Sequence, residues 1–256
     1  MSTTVVERGR SGFECCVATL ADSRTVFVKR AGDEATRHAN LLEADVLLRL
    51  NGVHAPDLLD VLDEGSTLVI AHLGSAKWAP PLPAPALLWA AIDAVGTTTP
   101  PHRIRRMQRR YDPWDDVAPM WWVASPMWWR AALPVLREAA ASAWWNGRAL
   151  MHGDISATNI CSIDGRVVLV DWADSAVGSL DWARVRGGLM YRLHGIDTDV
   201  PIIDPVPAVA SLAGFIAREY QSTDDPAKGA AYVVALTWAC CVLGLDPPPF
   251  GVAPTH

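Results

Sequence analysis

Residues 152–159 read HGDISATN, and an Asp164-Gly165 turn, an apolar run over 167–170 and the pair Asp171-Trp172 follow in that order. An Asp-Gly turn between ATNICSI and RVVLVDW predicts a two-stranded hairpin. A hairpin brings its outer ends together. Asn159, entering the first strand, and Asp171, leaving the second, therefore converge, and Asp154 lies five residues before Asn159 on the same loop.

The chain before this segment divides in two. TTVVERG, FECCVATL and TVFVKR alternate β-forming side chains and are separated by residues 9–12 and by Ala21-Asp22-Ser23, which predicts three short antiparallel strands. Residues 33–50 place Leu41, Leu42, Val46, Leu47 and Leu50 at helical spacing, closed by Asn51-Gly52. DLLDVLDEG and STLVIAHL supply a fourth and a fifth strand. Residues 74–85, rich in Pro and small side chains, break the pattern. Beyond them the chain turns helical, in LLWAAIDAV, MWWRAALPVLREAAASAWW, SLAGFIAREY and AAYVVALTWACCVLGL. The expected lobes are 1–73, a five-stranded sheet plus one helix, and 74–256, mainly helical.

Composition narrows the partners. Half of the 256 residues are hydrophobic, enough for a sizeable core. A net charge of −6 disfavours nucleic acid and favours a neutral or cationic small molecule. The five cysteines, Cys15, Cys16, Cys161, Cys240 and Cys241, show no CxxC spacing and an odd total, so neither a zinc site nor a disulfide framework is expected. A reducing cytoplasm fits them. The N-terminal residues lack the apolar run of a signal peptide, and no stretch of about 18 apolar residues offers a membrane span. The expectation is a soluble cytoplasmic protein with no membrane partner.

Phosphoryl transfer explains each part of the 152–172 segment. Its loose transition state needs the acceptor oxygen held in line, so one carboxylate orients a hydroxyl and takes its proton while metal ions neutralise the phosphate charge. Asp154 suits the first task. Asn159 and Asp171 offer hard oxygens to magnesium.

HGDxxxxN followed by a strand and Asp-Trp resembles the aminoglycoside-phosphotransferase and choline-kinase branch of the protein-kinase-like fold, whose protein-kinase members carry H-R-D-x-x-x-x-N and D-F-G. Lys29 in TVFVKR resembles the lysine of the third strand, and Glu43 in NLLEADVLLRL the helix glutamate that fixes it. Glu34 and Asp45 are the competing acids, and the apolar neighbours of Glu43 set its face. The resemblance implies that Lys29 holds the α- and β-phosphates of ATP or GTP, that Ser11 and Gly12 belong to a reduced glycine loop, and that Ile70, His72 and Leu73 form the hinge against the base. His152 is expected to bond backbone near the Asp171 turn, and Asp181 to tether the catalytic loop by capping a helix. Glycine replaces the arginine of H-R-D, Trp172-Ala173 replaces Phe-Gly, and no A-P-E follows, so a protein substrate is disfavoured.

Seven of the twelve tryptophans lie between residues 114 and 145, and residues 102–110 hold five arginines, read as a solvated helix face. Core packing accounts for such tryptophans, yet Trp114, Trp121, Trp122, Trp128 and Trp129 precede the catalytic loop where this family builds its acceptor pocket. The chain is thus expected to have an α/β, two-lobed protein-kinase-like fold and to act as a magnesium-dependent small-molecule kinase, monomeric or homodimeric. Its acceptor would be an aminoglycoside-like or other hydroxylated antibiotic or metabolite, and antibiotic resistance one role. The alternatives are a kinase of a primary metabolite (sugar, choline-like or amino-acid alcohol) and a non-catalytic kinase-like binding module.

Overall fold

The computed structural model describes residues 2–5, 12–106, 114, 125–143, 147–220 and 226–248. Two compact units emerge, one of Met1–Met107 with Gly147–Ala183 and one of Gln108–Asn146 with Arg184–His256.

The first unit opens with an antiparallel sheet of β1 (Ser2–Val5), β2 (Glu14–Thr19), β3 (Thr25–Arg30), β4 (Leu58–Leu62) and β5 (Thr67–Ala71), in the order β1-β2-β3-β5-β4. All five strands fall where β-formers alternate. One sheet face buries Cys16, Ala18, Val26 and Val28 with Leu20 and Val69. Lys29 stands opposite Cys15 in register, one residue along from Val28 and therefore on the other face. Helix α1 (Glu34–Leu50) starts in a capping box, in which the Asp33 carboxylate accepts the Thr36 N–H at 2.8 Å and the Thr36 hydroxyl accepts the Asp33 N–H at 3.0 Å. It ends on Asn51 in a left-handed conformation, whose N–H donates to Leu47 O. Glu43, Val46, Leu47 and Leu50 share its buried face at helical spacing, and that face packs on β4, β5 and the turn at Trp172–Asp174.

The remaining elements of this unit frame the 152–172 segment. Two-residue β6 (Lys77–Trp78) lies within the Pro-rich break and pairs with β8 (Ile160–Ile163), which forms the expected hairpin with β9 (Arg166–Leu169). β7 (Ala149–Met151) pairs with β10 (Ala176–Gly178) on either side of that hairpin in sequence. Helix α2 (Pro85–Gly96) buries Leu88, Ala91, Ile92 and Val95 and packs on β7 and β9. Residues 102–106 are not the helix expected of the arginine cluster: a turn closes from Ile104 N–H to Pro101 O at 3.4 Å, after which Val177 N–H donates to Arg105 O at 2.9 Å and Arg106 bridges to Val177, so the strap meets β10 at Arg105 and Arg106. Residues 107–110 lie outside the described part.

The second unit is helical. α3 (Pro126–Ala141) packs on α5 (Pro205–Tyr220), and α5 on α6 (Pro226–Leu243). α4 (Leu180–Leu193) is the helix expected beside Asp181, whose backbone N–H donates to Ser179 Oγ at 3.3 Å. Trp114 is completely buried, donates Nε1–H to Ala210 O at 3.0 Å, and sits so close to α5 that a Cβ on Gly214 would lie 2.7 Å from its Nε1. Among the described residues no helix is long and apolar enough to cross a membrane.

Candidate active site

Lys29 leaves β3 into a pair of carboxylates. Its Nζ lies 2.7 Å from Glu43 Oε2 on α1 and 2.7 Å from Asp171 Oδ1 after β9, and 4.1 Å from the centre of the Phe13 ring. The Lys29 and Glu43 side chains are 6% and 3% exposed, whereas Asp171 is 46% exposed. Burial works against the ammonium, but Glu43 and Asp171 outweigh it and hold Lys29 above its ordinary pKa, so it stays charged. A buried cation without such partners would be strongly destabilising. Glu43 has a second bond, accepting the Trp172 backbone N–H through Oε1 at 3.0 Å. Asp171 turns the chain in a left-handed conformation (φ 62°), which aspartate tolerates better than most residues.

The loop side is equally bonded. Asn159 Nδ2 donates to Asp154 Oδ2 at 3.0 Å and to Asp154 O at 3.1 Å. The backbone of Asn159 is tied to the hairpin by Val170 N–H at 3.0 Å. His152 is buried and bonds Val170 O through Nε2 at 2.9 Å, while its Nδ1 faces the Asp154 N–H at 3.2 Å. A carbonyl only accepts and an amide N–H only donates, so the ring is neutral with its proton on Nε2. Burial pushes the His152 pKa down, in the same sense. Its ring meets the Trp172 indole edge to face at 4.6 Å. Trp172 is itself anchored, with Nε1–H on Leu169 O at 2.8 Å and its carbonyl accepting the Ser175 hydroxyl.

The glycine of HGD has a steric cause. A Cβ on Gly153 would lie 2.0 Å from Asp174 O, so no larger residue fits beside the turn after Asp171. Sequence reasoning did not find this approach, nor Phe13 against the ammonium, because both join segments far apart in the chain.

The other expected site residues are placed as follows. Gly12 is exposed with φ 79°, Ile70 is buried in β5, His72 is exposed and Leu73 half-buried, and Ser11 lies outside the described residues. Trp129 is buried and Trp128 half-buried, the two rings edge to face at 5.0 Å; Trp128 donates Nε1–H to Asp246 O at 3.0 Å. One of this adjacent pair faces inward and one outward, as helix geometry requires. Trp121 and Trp122 lie outside the described residues.

The donor set suits a magnesium ion shared with phosphate. Asn159 Oδ1 and Asp171 Oδ2 have no hydrogen-bond partner among the described residues, and no group of three or more His, Cys, Asp or Glu there could hold a metal alone. Magnesium takes one or two protein oxygens and completes its shell with phosphate and water.

The chain matches no family model and no curated protein by sequence. Solved structures are similar in fold. A choline/ethanolamine kinase family protein from Mesorhizobium loti has a TM-score of 0.57 at 16% identity, covering 95% of this chain and 89% of that one. The macrolide 2'-phosphotransferase MphH from Brachybacterium faecium has a TM-score of 0.58 at 13% identity, covering 91% and 92%. A thermostable mutant of aminoglycoside phosphotransferase APH(4)-Ia, in ternary complex with ADP and hygromycin B, has a TM-score of 0.51 at 11% identity, covering 95% and 88%. The chain therefore has the two-lobed protein-kinase-like fold in the form found in choline kinases and in aminoglycoside and macrolide phosphotransferases.

Proposed function

We propose that the chain is a small-molecule O-phosphotransferase that moves the γ-phosphate of ATP or GTP to a hydroxyl of an aminoglycoside-like or other hydroxylated antibiotic or metabolite. The observation that carries this reading is the gathering, within one compact unit, of the Lys29–Glu43–Asp171 charge set and the Asp154–Asn159 pair, in a fold shared with small-molecule kinases. Asp154 orients the acceptor hydroxyl and takes its proton as the new O–P bond forms and the nucleoside diphosphate leaves. Asn159 anchors the Asp154 carboxylate through its amide N–H and offers its amide oxygen, with Asp171, to magnesium. Bound there, magnesium supplies charge neutralisation across the phosphates. Lys29, kept cationic by Glu43, holds the α- and β-phosphates.

On this reading residues 1–73 are the nucleotide-binding lobe, with Gly12, Ile70, His72 and Leu73 bordering the nucleotide, and residues 74–256 carry the catalytic loop and the acceptor site. The protein acts in the cytoplasm, and inactivating an antibiotic would make resistance or self-protection its role. The likeness to the choline/ethanolamine kinase family protein favours a second reading, in which the acceptor is a choline-like or related primary-metabolite alcohol.

The test is a panel of hydroxylated antibiotics, sugars and amino alcohols incubated with magnesium and ATP or GTP, read by nucleotide consumption and by mass spectrometry for an added phosphoryl group. Ligand binding with no transfer to any acceptor would instead indicate a non-catalytic binding module.

A further inference from the structure

The outer face of α1 forms one wall of a cavity of about 490 Å³ lined by Asp45, Leu48, Arg49, Pro101, His102 and Arg103. That volume lies within the range of small-molecule sites. The α1 residues concerned sit away from the face that buries Glu43, and Leu48 is 63% exposed. The opposite wall is the strap over residues 101–106, whose far end bonds β10 through Arg105 O and Arg106. β10 pairs with β7, and β7 leads directly into His152-Gly153-Asp154.

The charge of the lining is out of keeping with the chain as a whole. Two guanidiniums and an imidazole face one carboxylate, in a protein of net charge −6. None of Asp45, Arg49, His102 and Arg103 makes an ion pair or side-chain hydrogen bond with another described residue. Guanidiniums with no ion-pair partner among the described residues can bond phosphate and carboxylate oxygens in pairs. Leu48 and Pro101 add an apolar side that would exclude water from those bonds.

We propose that this cavity is a binding site for a small polyanion bearing phosphate or carboxylate groups, held between Arg49 on α1 and His102 and Arg103 on the strap. Such an anion ties the helix that carries Glu43 to the strap beside β10. It therefore bridges, from outside the catalytic centre, the two elements that position Lys29 and the catalytic loop.

Calorimetric titration of the full chain with pyrophosphate and with citrate, at about 0.15 M salt to suppress long-range attraction and without nucleotide or magnesium, tests the assignment. At least one probe is expected to bind saturably, and which of the two binds distinguishes phosphate from carboxylate chemistry. The double substitution Arg49→Gln with Arg103→Gln, at two exposed positions, weakens that binding about tenfold or more. Asp45→Asn, which removes the one carboxylate of the lining, strengthens it a few-fold. Absence of saturable binding by both probes overturns the proposal, and so does binding that neither variant changes. Because the readout is binding without turnover, failure here leaves the phosphotransferase reading standing, and the reverse also holds.

Discussion

Glu43 and Trp172, 129 positions apart, are joined by a hydrogen bond of 3.0 Å from the Trp172 backbone N–H to Glu43 Oε1. The other carboxylate oxygen holds Lys29. One side chain of α1 thus fixes both the ammonium and the turn just after Asp171. Removing it leaves Lys29 with Asp171 alone, while removing Lys29 strands a buried carboxylate. Lys29→Ala and Glu43→Ala are therefore expected to be non-additive, with a coupling of about 1–3 kcal/mol in kcat/KM for nucleotide. A double-mutant cycle measures it, and additive losses would separate the two residues functionally.

Asp154→Asn keeps the size of the side chain but removes its capacity to take a proton. Turnover should fall by about 10²- to 10⁴-fold. Nucleotide affinity should stay nearly unchanged, because Lys29 and Asp171 are untouched. Steady-state kinetics together with nucleotide titration of the same variant check both halves.

Two glycines of the 152–172 segment separate steric crowding from backbone strain. A Cβ on Gly153 would strike Asp174 O at 2.0 Å, whereas one on Gly165, at φ 76°, would meet nothing within 4 Å. Gly165→Ala should cost about 1 kcal/mol, the strain of a left-handed alanine. Gly153→Ala should cost about 2 kcal/mol or more, because backbone must move. Urea unfolding of the two variants gives the comparison, and equal costs would remove the steric account of HGD.

His152 carries a pH dependence whose sign follows from its burial. Burial lowers its folded-state pKa, against the pull of the Val170 carbonyl and the nearby carboxylates, so the unfolded chain takes up a proton first as pH falls. Its contribution to stability is complete above about pH 6.5, the ordinary imidazole value, and is lost as pH drops from there toward the lowered folded value. The slope approaches about 1.4 kcal/mol per pH unit. Urea midpoints between about pH 7.5 and 5.5 should fall more steeply for the native chain than for His152→Gln.

Local patterns in the sequence reach some of this and not the rest. The choice of Glu43 over Glu34 rests on helix face alone, and in the structure Glu43 is buried on Lys29 while the Glu34 side chain is 78% exposed beside Arg37. The five-stranded sheet, α1 and the β8–β9 hairpin were legible because each spans enough residues to show a period. β6, β7 and β10, of two or three residues each, show none, and they exist only through partners elsewhere in the chain. The strap at 102–106 shows no period either, since after one turn at Pro101–Ile104 its bonds run to Val177. Gly153 and Phe13 answer to Asp174 and Lys29, neighbours in space that periodicity cannot supply.

The described tryptophans ahead of the 152–159 loop divide by burial. Trp114 is fully enclosed, bonded to Ala210 O and pressed on Gly214, and Trp129 is 2% exposed, so both are committed to the helical core. Trp114→Ala should cost about 3–5 kcal/mol of stability and reveal little about an acceptor. Trp128 is different. It stays half-buried at the start of α3, braced by Trp129 and by its bond to Asp246 O, and so offers an indole surface held in a fixed orientation. A sugar ring can stack on such a plane, and an ammonium group is drawn to its face. If Trp128 contacts the acceptor, Trp128→Ala raises the acceptor KM by about tenfold while the nucleotide KM and the melting temperature change little. An unchanged acceptor KM in a folded Trp128→Ala protein would move the search to Trp121 and Trp122, and then to the helices after Asp181.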